Sequence, residues 1–259
     1  MTWDPERYER WFATGQGAYA LAREFRLLDA MLAGWQRRGH KLLDVGCGTG
    51  IFTERLWHLG FDVTGVDASP PMLHAAKRRF AKRVVELSVA NAESLPYTDG
   101  EFDYCVVWSV LEFCDDPVAA LAEAARVAAK GLVVGFLNSF SLYWLARGMP
   151  APWAAGNTLR RARWFSPPGM RRLIRRATGR RPARVRSVLP GPPATWRERT
   201  AIGEDTGRAR FCGRCCSWLN DPVWPGGVGA FAAMRVDLVE RKPLTPLYSF
   251  SAPKPEATP

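Results

Sequence analysis

Lys41 to Gly50 reads KLLDVGCGTG, a short apolar run that ends in three glycines and opens directly into the helical pattern Ile51 to Leu59. Glycine lets the backbone turn tightly and approach a ligand closely, and the N-terminus of the helix offers unpaired N–H donors. A nucleotide cofactor is the natural guest of such a turn, although a tight connection without a ligand is the alternative for a lone GxG. The segments around it repeat one alternation. Leu42 to Val45, Val63 to Val66, Val84 to Val89, Phe102 to Val107 and Leu132 to Leu137 read as buried strands, and Ile51 to Leu59, Pro70 to Ala81 and Pro117 to Ala128 as helices. Strand and helix in alternation specify a parallel sheet, and right-handed crossovers put helices on both of its faces. The expected class is therefore α/β, doubly wound, with a seven-stranded, mostly parallel sheet.

The flanks set the boundaries. Pro5 to Trp35 carries apolar residues near helical spacing and predicts two helices broken near Gly15 and Gly17, within a helical segment 1–38. After Asn138 the alternation fails. A helix over Pro168 to Ala177 and a strand over Val185 to Leu189 are expected, then an irregular insertion at 190–228 and a last strand over Gly229 to Glu240. A single domain 1–242 with an extended tail 243–259 results. No apolar run reaches the roughly 20 residues of a membrane span. The N-terminus lacks the layout of a secretory signal, and the six cysteines, three of them in core elements, do not resemble a secreted disulfide framework. A soluble, cytoplasmic protein is expected. The net charge of +11 is matched by one segment, Arg160 to Arg186, which holds eleven arginines and no acidic residue.

Asp67 ends the second strand about twenty residues after the first glycine of the turn, where a carboxylate meets ribose hydroxyls. A helix cap is its other reading, although Ser69 could serve there. The turn is GxGxG rather than the GxGxxG of dinucleotide sites, and Asp44 before it would repel a pyrophosphate but attract a cation. That favours S-adenosylmethionine, with its ammonium group, over NAD.

DVGCGTG at Asp44 to Gly50, GVDASPPML at Gly65 to Leu73, NAESLPYTDGEFDYCVV at Asn91 to Val107 and VLEFCDDP at Val110 to Pro117 together resemble the class I S-adenosylmethionine-dependent methyltransferases, in particular the bacterial group related to the quinone-biosynthesis methyltransferases. The resemblance spans Tyr8 to Leu137 and, more loosely, the last strand. It implies a Rossmann-like fold in which residues 1–38 form a lid carrying Tyr8, Trp11 and Tyr19. It further implies that Asp44, Gly46, Cys47 and Gly48 line the methionine part of the cofactor and that Asp67 holds the ribose. Ala68 and Met72 would flank the adenine, Asn91, Ala92 and Glu93 would hold its edge, and Trp108, Ser109 and Val110 would lie beneath the methionine. For the three lid aromatics, helix packing is the competing explanation.

Methyl transfer is a displacement that needs two reactants held in line, and it needs a general base only when the acceptor must lose a proton. Glu112, after the fourth strand, is the best-placed candidate base, ahead of His74, Tyr143, Asp115 and Asp116, the last two reading as helix caps. No (D/N/S)PP(Y/F) sequence follows the fourth strand, which by analogy disfavours adenine and glutamine nitrogens as acceptors. A small-molecule O, C or N acceptor is the leading expectation, with Phe140, Tyr143, Trp144, Trp164 and Phe165 as candidate apolar walls. The alternatives are an RNA or lipid acceptor reached through the arginine segment, whose simplest reading is a solvated helix face, or a non-catalytic cofactor-binding subunit. Cys212, Cys215 and Cys216 have half the spacing of a zinc site and no evident fourth ligand, so no metal is assigned.

Overall fold

The computed structural model describes residues 4–149, 159, 162–179, 181–196 and 219–239. The chain opens with α1 (Pro5–Ala13), whose first turn is capped by the Asp4 carboxylate accepting from the Glu6 and Arg7 amides. Thr14 ends it and caps α2 (Gly15–Leu32) by accepting from Gly17 N. The break falls at Thr14, just before the two glycines. Gly17 is needed for a packing reason: a Cβ there would stand 1.9 Å from the Trp11 carbonyl oxygen, so only glycine lets the two helices meet.

The alternating region follows as β1 (Lys41–Val45), α3 (Ile51–His58), β2 (Asp62–Asp67), α4 (Pro70–Arg79), β3 (Glu86–Val89), β4 (Phe102–Trp108), α5 (Pro117–Val127) and β5 (Ala128–Leu137). These five strands are parallel, in the spatial order β3-β2-β1-β4-β5. The third strand begins two residues later than expected because Val84 is 99% exposed and the chain is still turning, with Arg83 N bonded to Phe80 O. Proline opens α4 and α5, and Asp116 caps α5 through the amides of Val118 and Ala119.

A π-helical turn (Trp144–Gly148) follows β5, and then α6 (Pro167–Thr178), β6 (Ala183–Val188), β7 (Trp224–Pro225) and β8 (Phe231–Asp237). The last three strands are antiparallel to their neighbours and complete the order β5-β8-β6-β7. The sheet thus has eight strands rather than seven. The extra one, Trp224–Pro225, is a two-residue edge strand too short to show alternation, and its proline lacks an amide for a further neighbour.

Two apolar layers cover the sheet. On one face Leu27, Leu28 and Leu32 of α2 join Phe52, Leu56, Trp108 and Phe231. On the other, Leu121 and Ala124 of α5 and Met170 and Ile174 of α6 cover Val107, Val134 and Met234. The exposed side of α6 presents Arg171, Arg172, Arg175 and Arg176, the solvated face expected of it. The described ends of the insertion are ordered: Trp196 is 2% exposed and donates its indole N–H to Gly191 O, while Asn220 accepts from Gly191 N. Cys212, Cys215, Cys216, Arg160, Arg161, Arg180 and the tail 243–259 lie outside the described residues. Among the described residues, no helix is long and apolar enough to cross a membrane.

Candidate functional site

The site is built at the carboxyl ends of β1, β2 and β4, where the strand order reverses between β1 and β4. Gly46, Gly48 and Gly50 have φ of +71°, +56° and +82°, a left-handed conformation that glycine adopts without strain. The amides of Gly46 and Cys47 both donate to Val66 O at 2.7 and 2.9 Å, folding the turn over the end of β2. A Cβ on Gly46 would stand 2.2 Å from Val110 Cγ2, so the loop after β4 presses directly on the turn. Beside Gly48 a Cβ would meet nothing within 4 Å. The turn therefore borders open space on one flank only, as a cradle for a bound group requires.

Two carboxylates face this cradle. Asp67 accepts from Gly48 N at 2.9 Å on one oxygen and from Ser69 N at 2.8 Å on the other. Those bonds fix the carboxylate in place and use two of its roughly four acceptor positions, leaving capacity for a pair of hydroxyls. Ser69, the N-cap of α4, makes no side-chain cap bond, and Asp67 holds only the Ser69 amide ahead of the helix. Asp44 is 1% exposed and accepts from the Thr53 hydroxyl at 2.7 Å. Burial, with the charge of Asp67 adding to it and the Thr53 bond opposing, pushes its carboxyl up to about 7. Among the described residues no cation pairs with this buried carboxyl, which leaves an incomplete ion pair.

Of the other expected contacts, Tyr8 lies within electrostatic reach of Asp44 and Asp67. Its phenol is pushed up by burial and then by the charges of Glu24, Asp44 and Asp67, with Arg79 opposing. Val110 is held against the turn, and Met72 is buried near it while Ala68 is exposed. Ser109 has φ of +57°, a non-glycine residue in the left-handed region at the tip of β4, a conformation costing about 1–2 kcal/mol. Trp108 is 4% exposed and donates its indole N–H to Glu24 at 3.2 Å. Asn91 is exposed and accepts from Glu93 N, beside Ala92, whereas the Glu93 carboxylate turns to the Asp115 and Asp116 amides and ties this loop to α5. Tyr19 is not gathered with the cradle. It is 1% exposed beneath the Arg23 guanidinium, and the charges acting on it are Arg23, Asp221 and Arg26. Trp11 is half-buried and its carbonyl supports the α1 to α2 turn through Thr14.

Glu112 is 3% exposed, accepts from Leu137 N at 2.6 Å on one oxygen, and has no partner for the other among the described residues. Burial pushes it up to about 7. Sequence reasoning missed Glu24 of α2, which burial and the charge of Glu112 push up to about 8, the Trp108 bond opposing. A signal existed, since Glu24 interrupts the stripe formed by Ala20, Leu27, Leu28 and Met31, a lone carboxylate in an otherwise apolar helix face. Tyr143, after β5, contacts the rings of Trp164 and Trp196 and is pushed up to about 12 by burial.

Residues 43–134 match the family model described as "Methyltransferase domain". A malonyl-[acyl-carrier protein] O-methyltransferase of Serratia marcescens is 38% identical over 132 residues, 48% of this chain and 49% of the relative. A ubiquinone biosynthesis O-methyltransferase of Methylococcus capsulatus is 39% identical over 114 residues, covering 42% and 48% of the two chains. The chain thus spans about half the length of the curated relatives it matches. Its fold superposes on a Thermotoga maritima S-adenosylmethionine-dependent methyltransferase described as a possible histamine N-methyltransferase, with TM-score 0.67 and 26% identity over 90% of this chain and 96% of that one. Residues 43–134 thus carry a methyltransferase domain, on a fold shared with S-adenosylmethionine-dependent methyltransferases.

Proposed function

We propose that the chain is an enzyme that transfers a methyl group from S-adenosylmethionine to a small-molecule acceptor at oxygen, carbon or nitrogen. The observation that carries this is the pairing of the open glycine cradle with two fixed carboxylates, Asp44 and Asp67, of opposite use. Asp67 is set for ribose hydroxyls, and Asp44, buried and lacking a cation, is set for the ammonium end. When bound, the donor supplies an electrophilic methyl group on a sulfonium. The protein's part is positioning, because an aligned pair of reactants removes roughly 7–11 kcal/mol of the barrier. Gly46, Cys47 and Gly48 hold the methionine part, Ala68, Met72, Asn91, Ala92 and Glu93 surround the adenine, and Trp108, Ser109 and Val110 floor the site. Tyr8 closes it from above, and Trp11 and Tyr19 hold the α1–α2 lid in shape.

Glu112 stands at the acceptor end as the candidate proton acceptor. The relatives' names differ in acceptor, malonyl-[acyl-carrier protein], ubiquinone biosynthesis and possibly histamine, so the acceptor has to be read from this chain's own residues. The free thiols of Cys47, Cys105 and Cys114 suit a reducing cytoplasm. A second reading, an RNA or anionic membrane surface engaged by the four exposed arginines of α6, predicts salt-sensitive association with either partner. Purified protein incubated with methyl-labelled donor and a metabolite extract should form S-adenosylhomocysteine and one labelled small product. Label confined to the RNA or lipid fraction would favour the second reading, and donor binding without any turnover would make the chain a non-catalytic subunit.

A further inference from the structure

Arg79, the last residue of α4, bonds to three separate parts of the molecule. Its Nε donates to Thr49 O, inside the glycine turn, at 3.0 Å. One terminal nitrogen donates to Glu54 of α3 at 3.0 Å, and the other to Glu9 of α1 at 2.7 Å. Arg83 takes the second Glu54 oxygen, and the His58 ring stands 3.9 Å from that same oxygen. The stem of Arg79 also lies beside the third glycine of the turn, where a Cβ on Gly50 would stand 3.5 Å from Arg79 Cδ. One guanidinium therefore joins the donor cradle to the first helix through direct bonds.

The helix so joined is lightly packed. α1 has nine residues and none of them is buried, and a helix that short is marginal in water without support. It meets α2 at Thr14, an extended residue with ψ of 150° that ends one helix and caps the next. A cleft of about 500 Å³ is lined by Phe12 of α1, Phe25 of α2, Ile51 of α3 and by Glu9 and Arg79 themselves. α1 thus borders open space rather than a packed surface on this side, and elements with few buried contacts are the ones that open locally.

We infer that the Glu9–Arg79 pair is the latch of the donor site: it holds α1 against the cradle, with Arg79 as a positioning residue, and its release lets α1 swing about Thr14 so that donor and product exchange. This rests on the methyltransferase reading and names how that same site opens and closes. Tyr8 precedes Glu9 on α1 and lies within electrostatic reach of Asp44 and Asp67, so the helix that the latch holds is the one beside the donor carboxylates. Both side chains of the pair are partly exposed, so water and salt reach it. When Glu9 leaves, Arg79 keeps Thr49 O and Glu54, and neither charge is stranded in an apolar interior. An exposed pair contributes little to global stability, but a lid needs only a few-fold bias between closed and open.

In the test, labelled S-adenosylhomocysteine is bound to the full chain and its release is timed after a chase with unlabelled ligand. Glu9→Gln should speed release about three- to fivefold, and Glu9→Lys, which sets like charges face to face, about tenfold or more. Raising salt from about 0.05 to 0.5 M should speed release from the wild type more than from Glu9→Gln, since screening at Asp44 is common to both and the difference isolates the latch. Amide exchange in α1 should quicken in Glu9→Gln, with exchange in β1 and β4 and the urea midpoint as in the wild type. Release from a folded variant within about twofold of the wild type, or equal salt dependence in wild type and Glu9→Gln, overturns the inference while the donor reading stands. Failure of S-adenosylhomocysteine to bind the wild type overturns the donor reading instead, and this inference with it. Release from either variant decides if the other does not fold.

Discussion

Asp67 spends one bond on Gly48 N and one on Ser69 N before any ligand arrives, so its orientation is set by the protein and its remaining capacity faces the cradle. Asp67→Ala should therefore weaken S-adenosylhomocysteine about 10- to 100-fold, the loss of one or two charge-assisted hydrogen bonds, as read by calorimetry. Gly46→Ala combines a left-handed φ with a Cβ driven into Val110, and should cost about 1–3 kcal/mol of stability in chemical denaturation as well as donor affinity. Asp44 and Glu112 give a pH signature. Both are held up near 7 against ordinary values of 3.8 and 4.5, so the folded protein binds more protons than the unfolded chain between those limits. Stability of the ligand-free protein should fall as pH rises from about 4 to 7, and Glu112→Gln should flatten that slope. Affinity for the cationic donor should move the other way, rising with pH until Asp44 is ionised near 7, with Asp44→Asn removing the dependence.

At the scale of elements, the proposed lid depends on the contact between α1 and α2. Gly17→Ala would push a methyl into the Trp11 carbonyl and must separate the two helices, lifting Tyr8 from the cradle. Its signature should be a donor affinity lowered by several-fold with the sheet domain's unfolding midpoint little changed, because α1 has no buried residue of its own. Most elements through β5 were legible in sequence because β1, β4 and β5 are largely apolar and the helices between the strands carry a different period, whereas β3, reading ELSV and half exposed, carries a weak signal that places its start two residues early. β7 was not legible, since two residues carry no period, and neither was the order within the insertion, where Asn220 is tied to Gly191 across 29 residues and Trp196 folds back on the same glycine. The donor end of the site was legible because glycine spacing and Asp67 carry local chemistry. Glu24 was not: it lies 84 residues from Trp108 in sequence, and only the fold brings them together. Tyr19 shows the converse, an aromatic at the expected place that the helix turns toward Arg23 instead.

The whole molecule is closed by its last strand. Arg235 of β8 is 4% exposed, donates to Met31 O and Ala33 O at 3.0 and 2.6 Å, pairs with Asp237 and lies over the Trp35 ring. It therefore fastens β8, beside the parallel strand β5, to the C-terminal end of α2. Arg235→Ala removes the guanidinium that serves two carbonyls and the Asp237 carboxylate, and should cost about 3–5 kcal/mol in urea unfolding. Asp44 and Asp67 at the ends of β1 and β2, Glu24 bonded to Trp108 at the end of β4 and Glu112 bonded to Leu137 at the end of β5 thus share one scaffold. The most direct test of the donor assignment is calorimetric titration of the wild-type chain and Asp67→Ala with S-adenosylhomocysteine and with NAD. The account predicts one-to-one binding of S-adenosylhomocysteine by the wild type, an affinity at least about tenfold lower in the folded variant, and no binding of NAD. Equal affinity in wild type and variant, or NAD competing for the same site, would contradict it.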